Sequence, residues 1–295
     1  MFAIAEKCSD PRILVMRYPD FVRVGEMPCT GTTDKYLSLV FTESDYLVSL
    51  TGLPNYEIQL WCWRTNEQLL SIPSGMDGPK QILKCSPAQP IHVVQLAEQS
   101  SQLIVWEVSI GAGKGYIQRQ PVQLVESGPP YTNKYPKLNP VFSYDATLYL
   151  VNTEGDILKV LLESRKLESV IEWPGFIGDN ATCACWYKNG ILVSGPNGEL
   201  RFFSNEQMPP NAIISSERVL QSGNGNEWRT VWKSSGPPDC SIRQLDCAIG
   251  RDTLLCWTSN GGCFEFTIQF DSEEPTEFHK IAQFNMQVGK HNLNN

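Results

Sequence analysis

Positive charge is scarce in this chain of 295 residues. Its 24 Lys and Arg stand against 32 Asp and Glu, for a formal net charge of −8 and a pI near 5.0. Nucleic-acid binding needs clustered cations to neutralise phosphate, and no such cluster occurs. Histidine is scarcer still, with His92, His279 and His291 the full set, none beside a serine or cysteine motif. The Gly-x-Ser-x-Gly elbow of many hydrolases is also missing, so catalysis through an activated nucleophile lacks its parts. No uncharged run approaches the roughly 18 residues of a membrane helix. The opening MFAIAEKCSDPR holds no apolar core of signal-peptide length. These absences set the expectation of a soluble, intracellular, non-catalytic chain whose partners are proteins rather than nucleic acid, membrane or small molecules, with no cofactor.

Cysteine is present ten times but without a CxxC pair. Cys183-Ala184-Cys185 comes nearest to zinc-ligand spacing, and a strand there would point both thiols to one face. The other cysteines mostly sit in apolar runs such as LKCS and LLCW, where a thiol behaves as a small buried hydrophobe. Reduced core cysteines, and no metal, are expected. Ser109 to Gly115 (SIGAGKG) is glycine-rich but lacks the Gly-x4-Gly-Lys spacing and the following Ser or Thr of a phosphate-binding loop, so it reads as a flexible hairpin tip. Asp45, Asp145, Glu154 and Asp252 fall in expected turns, where acids favour the turn backbone.

What the chain has in abundance is a repeated pair of short strands joined by a polar turn. The pair begins at Phe2, Tyr46, His92, Thr147, Gly190 and Thr253, at intervals of 43 to 63 residues. Units of this length, each able to supply four strands, predict an all-β, WD40-type β-propeller of about six blades over residues 1–284, followed by a polar C-terminal tail, 285–295. Apolar residues at 41%, with 20 prolines and 22 glycines as punctuation, agree with many short strands. The second unit reads Tyr36 to Thr42, Tyr46 to Thr51, Glu57 to Trp63 and Gln68 to Ile72. Its neighbour reads Gln81 to Cys85, Ile91 to Leu96, Leu103 to Val108 and Ile117 to Leu124. The fourth, with a Glu154-Gly155-Asp156 hairpin turn, begins at Leu138, and the sixth at Ile242. The fifth carries the longest loop candidate, Ser204 to Asn226, before a strand at Trp228 to Lys233. The first unit has no innermost strand, so either the polar tail closes a six-bladed ring or the chain is a piece of a longer protein whose flanking strands complete it, and six blades and a broken seven both stay open.

The same residues carry a family resemblance. Ala5-Glu6, Pro11-Arg12-Ile13 and Tyr18-Pro19 open the chain; Gly52, Leu53-Pro54, Trp61 and Trp63 mark the second unit; CACWYKNGILVSGPNGELRFF forms a later one. In this order they resemble the N-terminal propeller of the cilia- and flagella-associated WD-repeat proteins, across essentially the whole chain. Members of that family are long, with two propellers and a coiled-coil tail. The resemblance implies an axonemal scaffold in the cytoskeleton of a cilium or flagellum. There it would position inner-arm dynein on doublet microtubules alongside a related WD-repeat partner, and so support ciliary beating and sperm motility.

Candidate contact residues are Trp228, Trp232 and Arg64. The two tryptophans alternate in WRTVW after a polar loop, a pattern that leaves one ring outside. Trp61, Trp63, Trp106, Trp186 and Trp257 read instead as filling between blades. Trp61-Cys62-Trp63-Arg64 keeps the tryptophan and arginine of the Trp-Asp-x-Arg motif that marks propeller substrate adaptors of ubiquitin ligases, with cysteine in place of the aspartate. Such an adaptor is the alternative function; a truncated fragment without an independent role is a third.

Overall fold

The computed structural model describes residues 1–6, 8–29, 31, 33–43, 45–97, 102–111, 114–123, 138–152, 157–162, 166–171, 181–195, 198–204, 229–234, 236–237, 240–247, 252–268 and 277–283. Every regular element among them is a strand. Short runs rich in Val, Ile, Leu and aromatic residues, such as LYLVN at 148–152 and GILVS at 190–194, are buried on both faces and are bounded by polar turn residues, which suits short sandwiched strands and is too short for a helix.

The first sheet has three strands, β1 (Phe2–Ala5), β2 (Ile13–Arg17) and β3 (Val22–Met27). Four strands in chain order make each of the others. The second sheet is β4 (Tyr36–Glu43), β5 (Tyr46–Thr51), β6 (Glu57–Cys62) and β7 (Glu67–Pro73). The third is β8 (Gln81–Cys85), β9 (Ile91–Ala97), β10 (Gln102–Gly111) and β11 (Lys114–Gln123). The fourth is β12 (Leu138–Phe142), β13 (Leu148–Asn152), β14 (Ile157–Leu161) and β15 (Lys166–Ile171). The fifth is β16 (Cys183–Tyr187), β17 (Gly190–Ser194), β18 (Leu200–Ser204) and β19 (Arg229–Ser234). The sixth is β20 (Ile242–Cys247), β21 (Thr253–Thr258), β22 (Gly262–Thr267) and β23 (His279–Gln283). Each is a meander, since antiparallel neighbours need only a short turn between them.

The chain falls into two compact units, Met1–Tyr149 with Lys159–Glu168, and Leu150–Leu158 with Ser169–Asn295. In the first unit, Ile13, Val15 and Met27 on one face of the first sheet meet Leu47, Trp61 and Trp63 of the second. The opposite face of the second sheet packs Val48, Leu50, Ile58 and Leu60 on Ile91, Val93, Ile104 and Trp106 of the third. Each such side chain taken fully out of water contributes about 1.5–3 kcal/mol. In the second unit, Cys183, Cys185, Tyr187, Leu192 and Phe202 pack on Ile242, Leu245, Leu254, Cys256 and Phe266. The cysteines there fill core space as small apolar groups do. Burial pushes the Cys256 thiol up to about 12 and the Cys263 thiol up to about 11.

One device repeats between sheets two and three. Ser49 lies opposite Gln59, and Trp61 is two residues further along the same strand; Gln95 lies opposite Ile104, and Trp106 is again two further. The Trp61 Nε1–H donates to Ser49 Oγ at 2.9 Å, and the Trp106 Nε1–H to Gln95 Oε1 at 3.0 Å. Both indoles are thereby buried at 0% and 1% exposure with their polar atom satisfied. The chain of bonds continues outward, from Gln95 Nε2–H to Gln81 Oε1 at 2.6 Å and from Gln81 Nε2–H to Gly78 O at 2.8 Å.

The glycine-rich run read as a flexible tip is drawn into the third sheet's ladder. Ser109 pairs with Tyr116, Ile110 with Gly115 and Gly111 with Lys114, three steps beyond the last pairing of β10 with β9. Gly115 makes this possible, because a Cβ there would stand 2.3 Å from Leu60 Cδ2 of the second sheet. Its missing side chain lets the long hairpin lie on its neighbour. The expected Glu154-Gly155-Asp156 turn, the loop residues 205–226 and the tail 285–295 lie outside the described residues.

Candidate protein-contact surface

Arg64 stands in the β6–β7 turn, on the first compact unit. Its guanidinium is centred 4.8 Å from the middle of the Trp63 ring, and Nε–H donates to Asp45 Oδ1 in the β4–β5 turn. The same two turns are tied through the backbone, where Trp63 N–H donates to Asp45 O at 3.1 Å. Trp63 itself is buried at 3% exposure, with the arginine over its ring. Stacking and ion pairing fix a planar cation in place while leaving its outer donors in water. Its side chain remains 58% exposed.

Two residues on, Asn66 takes a positive φ of 60°, a conformation its short side chain tolerates. Asn66 Oδ1 accepts the Glu26 backbone N–H at 3.0 Å, linking this turn to β3 of the first sheet. Close approach there depends on Gly25, since a Cβ would stand 2.9 Å from Trp63 O. Glu26 in turn is gripped by two cations: Arg12 Nη1 and Arg23 Nη1 each lie 2.7 Å from a carboxylate oxygen. Arg12 also binds Glu6 through two donors, Nε to Oε2 at 2.7 Å and Nη2 to Oε1 at 2.8 Å. The Arg12 hydrogen bond, ahead of its charge, holds the Glu6 carboxyl below the usual glutamate range. In the same way Glu6 and Glu26 raise Arg12 and keep it charged.

The outcome is a strip of alternating charge, Glu6, Arg12, Glu26, Arg23, then Asn66 and the Arg64–Asp45 pair, laid across the first two sheets. Each member is solvent-accessible, so each pair adds little to stability. Such pairs can exchange partners with a charged protein surface at low cost. Sequence reading picked out Arg64 alone; Glu6, Arg12, Glu26 and Asn66 join it through contacts between chain-distant residues, which carry no local signal. Ala5-Glu6 and Pro11-Arg12 did appear within the resemblance motif.

Trp228 lies outside the described residues, and Trp232 is placed on β19 with Phe202 as its ladder partner. The strip and β19 belong to different units. Ser86 meets His92 through the backbone, where His92 N–H donates to Ser86 Oγ at 2.9 Å. Among the described residues no three of His, Cys, Asp and Glu converge as metal ligands. Asp145 accepts from Ser143 Oγ–H and from Thr147 N–H at 3.3 Å, a turn-forming role, and the first of these bonds holds its carboxyl below the ordinary range.

Comparison with solved structures decides the fold. The chain is similar to the β-propeller domain of Cps50 (Swd1) from Myceliophteria thermophila, with a TM-score of 0.63 at 11% identity, over 95% of this chain and 84% of that one. The fold is a WD-type β-propeller. Each four-stranded meander is thus a blade, and the three-stranded first sheet occupies a blade's place. Raptor from Chaetomium thermophilum is also similar, with a TM-score of 0.55 at 12% identity, over 86% of this chain. The chain spans only 21% of Raptor's length. No family model matches the sequence, and neither does any curated protein.

Proposed function

We propose that this propeller is a non-catalytic protein-binding scaffold of the ciliary or flagellar axoneme. In that role it would help hold inner-arm dynein on the doublet microtubule beside a related WD-repeat protein, and its place in the cell is the axonemal cytoskeleton. The charged strip from Glu6 to Arg64 is the observation that carries the scaffold half of this reading: its side chains are paired and solvent-accessible, a chemistry of contact rather than turnover. The axonemal half rests on the ordered run of motifs from Ala5-Glu6 to the CACWYKNG segment. Several of those residues have structural work that explains their identity: Arg12 organises the strip, and Trp61 and Trp63 close the core beneath it.

Adaptor function for a ubiquitin ligase is supported less well. Cys62 stands where the Trp-Asp-x-Arg motif carries its aspartate, so the carboxylate of that motif is missing beside Arg64.

Co-sedimentation with salt-washed axonemes tests the proposal. The wild-type chain is expected to pellet, and Arg12→Glu with Arg64→Glu to reduce pelleting several-fold and to make it more salt-sensitive, as a charged contact requires. A chain that stays in the supernatant, or that instead captures a ligase adaptor in an Arg64-dependent way, would sink it.

A further inference from the structure

The last strand of each sheet has no ladder partner on its far side among the described residues, and an open edge of that kind is a template for pairing with another chain. In β3, β7, β19 and β23 the pairing with the preceding strand shifts register partway along, between Val15 and Met16, Leu60 and Trp61, Phe202 and Phe203, and Cys263 and Phe264. Such a shift bends and twists the strand, which spoils its edge for further pairing. β11 lacks this protection. It pairs with β10 over ten consecutive residues, from Gln102 with Gln123 to Gly111 with Lys114, in one unbroken register.

The chemistry of that edge is unusual for this chain. The strand reads KGYIQRQPVQ, two cations and no acid, within a net charge of −8. Its successive side chains fall on opposite faces. Ile117 and Arg119 share one face, and Ile117 is buried there among the residues between the second and third sheets. The Arg119 guanidinium lies against Gly75, which has a φ of 68° and no side chain; a Cβ there would stand 2.6 Å from Arg119 Cζ. Arg119 Nη2–H donates to Gly75 O at 3.4 Å. Arg12, Arg17, Arg23 and Arg64 each hold a carboxylate, whereas the exposed Arg119 has no acidic partner among the described residues. The other face of β11 presents Tyr116, 62% exposed. Arginine and tyrosine are among the side chains that carry most of the energy of protein interfaces.

We propose that the free edge of β11 takes up an extended segment of a partner protein as an added strand, one in which acidic residues alternate with apolar ones. Backbone groups of residues 114–120 supply the ladder, and Pro121, which has no N–H, marks where addition stops. With a period of two, acidic side chains fall beside Arg119 and apolar ones beside Tyr116. A second copy of this chain fits worse, because pairing β11 with itself sets cations against cations.

Hydrogen exchange of the whole chain, read by mass spectrometry with and without a capped peptide of alternating Val and Glu long enough to span residues 114–120, is the test. Exchange across residues 114–120 is expected to slow several-fold, with β7 and β19 unchanged. The same peptide N-methylated at every residue should give no protection, because strand addition uses backbone donors that a purely electrostatic contact does not; this comparison alters nothing in the protein. A peptide with Lys in place of Glu should protect less, and Arg119→Glu should reverse that order. No protection at β11, protection spread evenly over the outer strands, or equal protection by the N-methylated peptide would overturn the proposal. So would a chain that is already dimeric with β11 protected, which would give this edge to a second copy.

Discussion

Trp61 shows how one residue serves both packing and polarity. Its ring fills the contact between the first and second sheets, and its N–H is satisfied only by Ser49. Trp61→Phe keeps most of the apolar area but removes the N–H that Ser49 Oγ accepts, leaving that buried oxygen only its bond to Gln59, so it should cost about 1–3 kcal/mol in urea unfolding. Adding Ser49→Ala should give less than the sum of the two single effects, because the pair acts as one unit. His92 makes a second prediction. Burial lowers its pKa below the ordinary histidine value, with Glu107, opposite it in the ladder, acting weakly the other way. Below that ordinary value the unfolded chain takes up a proton that the folded one refuses. The stability tied to His92 is therefore intact above the ordinary value and is lost as pH falls through the lowered one. The urea midpoint should drop from about pH 8 to about pH 5, and His92→Gln should flatten part of that drop. An identical slope in the variant would refute the assignment.

Among elements, the β10–β11 hairpin is the one whose length depends on a single glycine. Gly115→Ala pushes a methyl into Leu60, which is fully buried and has nowhere to move. About 1–3 kcal/mol of destabilisation is expected from such overpacking. Hydrogen exchange should rise first at Ser109 to Tyr116, and uniform loosening would contradict the picture. The sixth-sheet strands make a different statement. Cys256 and Cys263, buried with raised thiol pKa values, should resist alkylation in the folded chain, whereas exposed Cys8 should label readily. Strand positions were legible in the sequence because short apolar runs and turn residues are local signals: the spans read for Tyr46 to Thr51 and Gln81 to Cys85 coincide with β5 and β8. Glycine carries no strand signal, so Ser109 to Gly115 was read as a tip. Nor did Asn66 announce its bond to Glu26, 40 residues earlier, since only the packed sheets bring the two together.

At the scale of the whole molecule, the repeat is the organising feature. Similarity to the Swd1 propeller domain at 11% identity shows how little of the residue identity this fold requires. Short apolar strands, polar turns and apolar side chains between packed sheets are enough, which is why the period in the sequence was a sounder guide than any single motif. Function does not follow from the fold in the same way, because propellers carry their specificity in surface residues. The surface proposed for that role here is the Glu6-to-Arg64 strip. The most direct test is to follow a tagged copy of the chain in ciliated cells or sperm and to wash the demembranated axonemes with rising salt. Retention along the axoneme, weakened by Arg12→Glu with Arg64→Glu, is the result expected of an axonemal scaffold, and a diffuse signal lost on demembranation would contradict it.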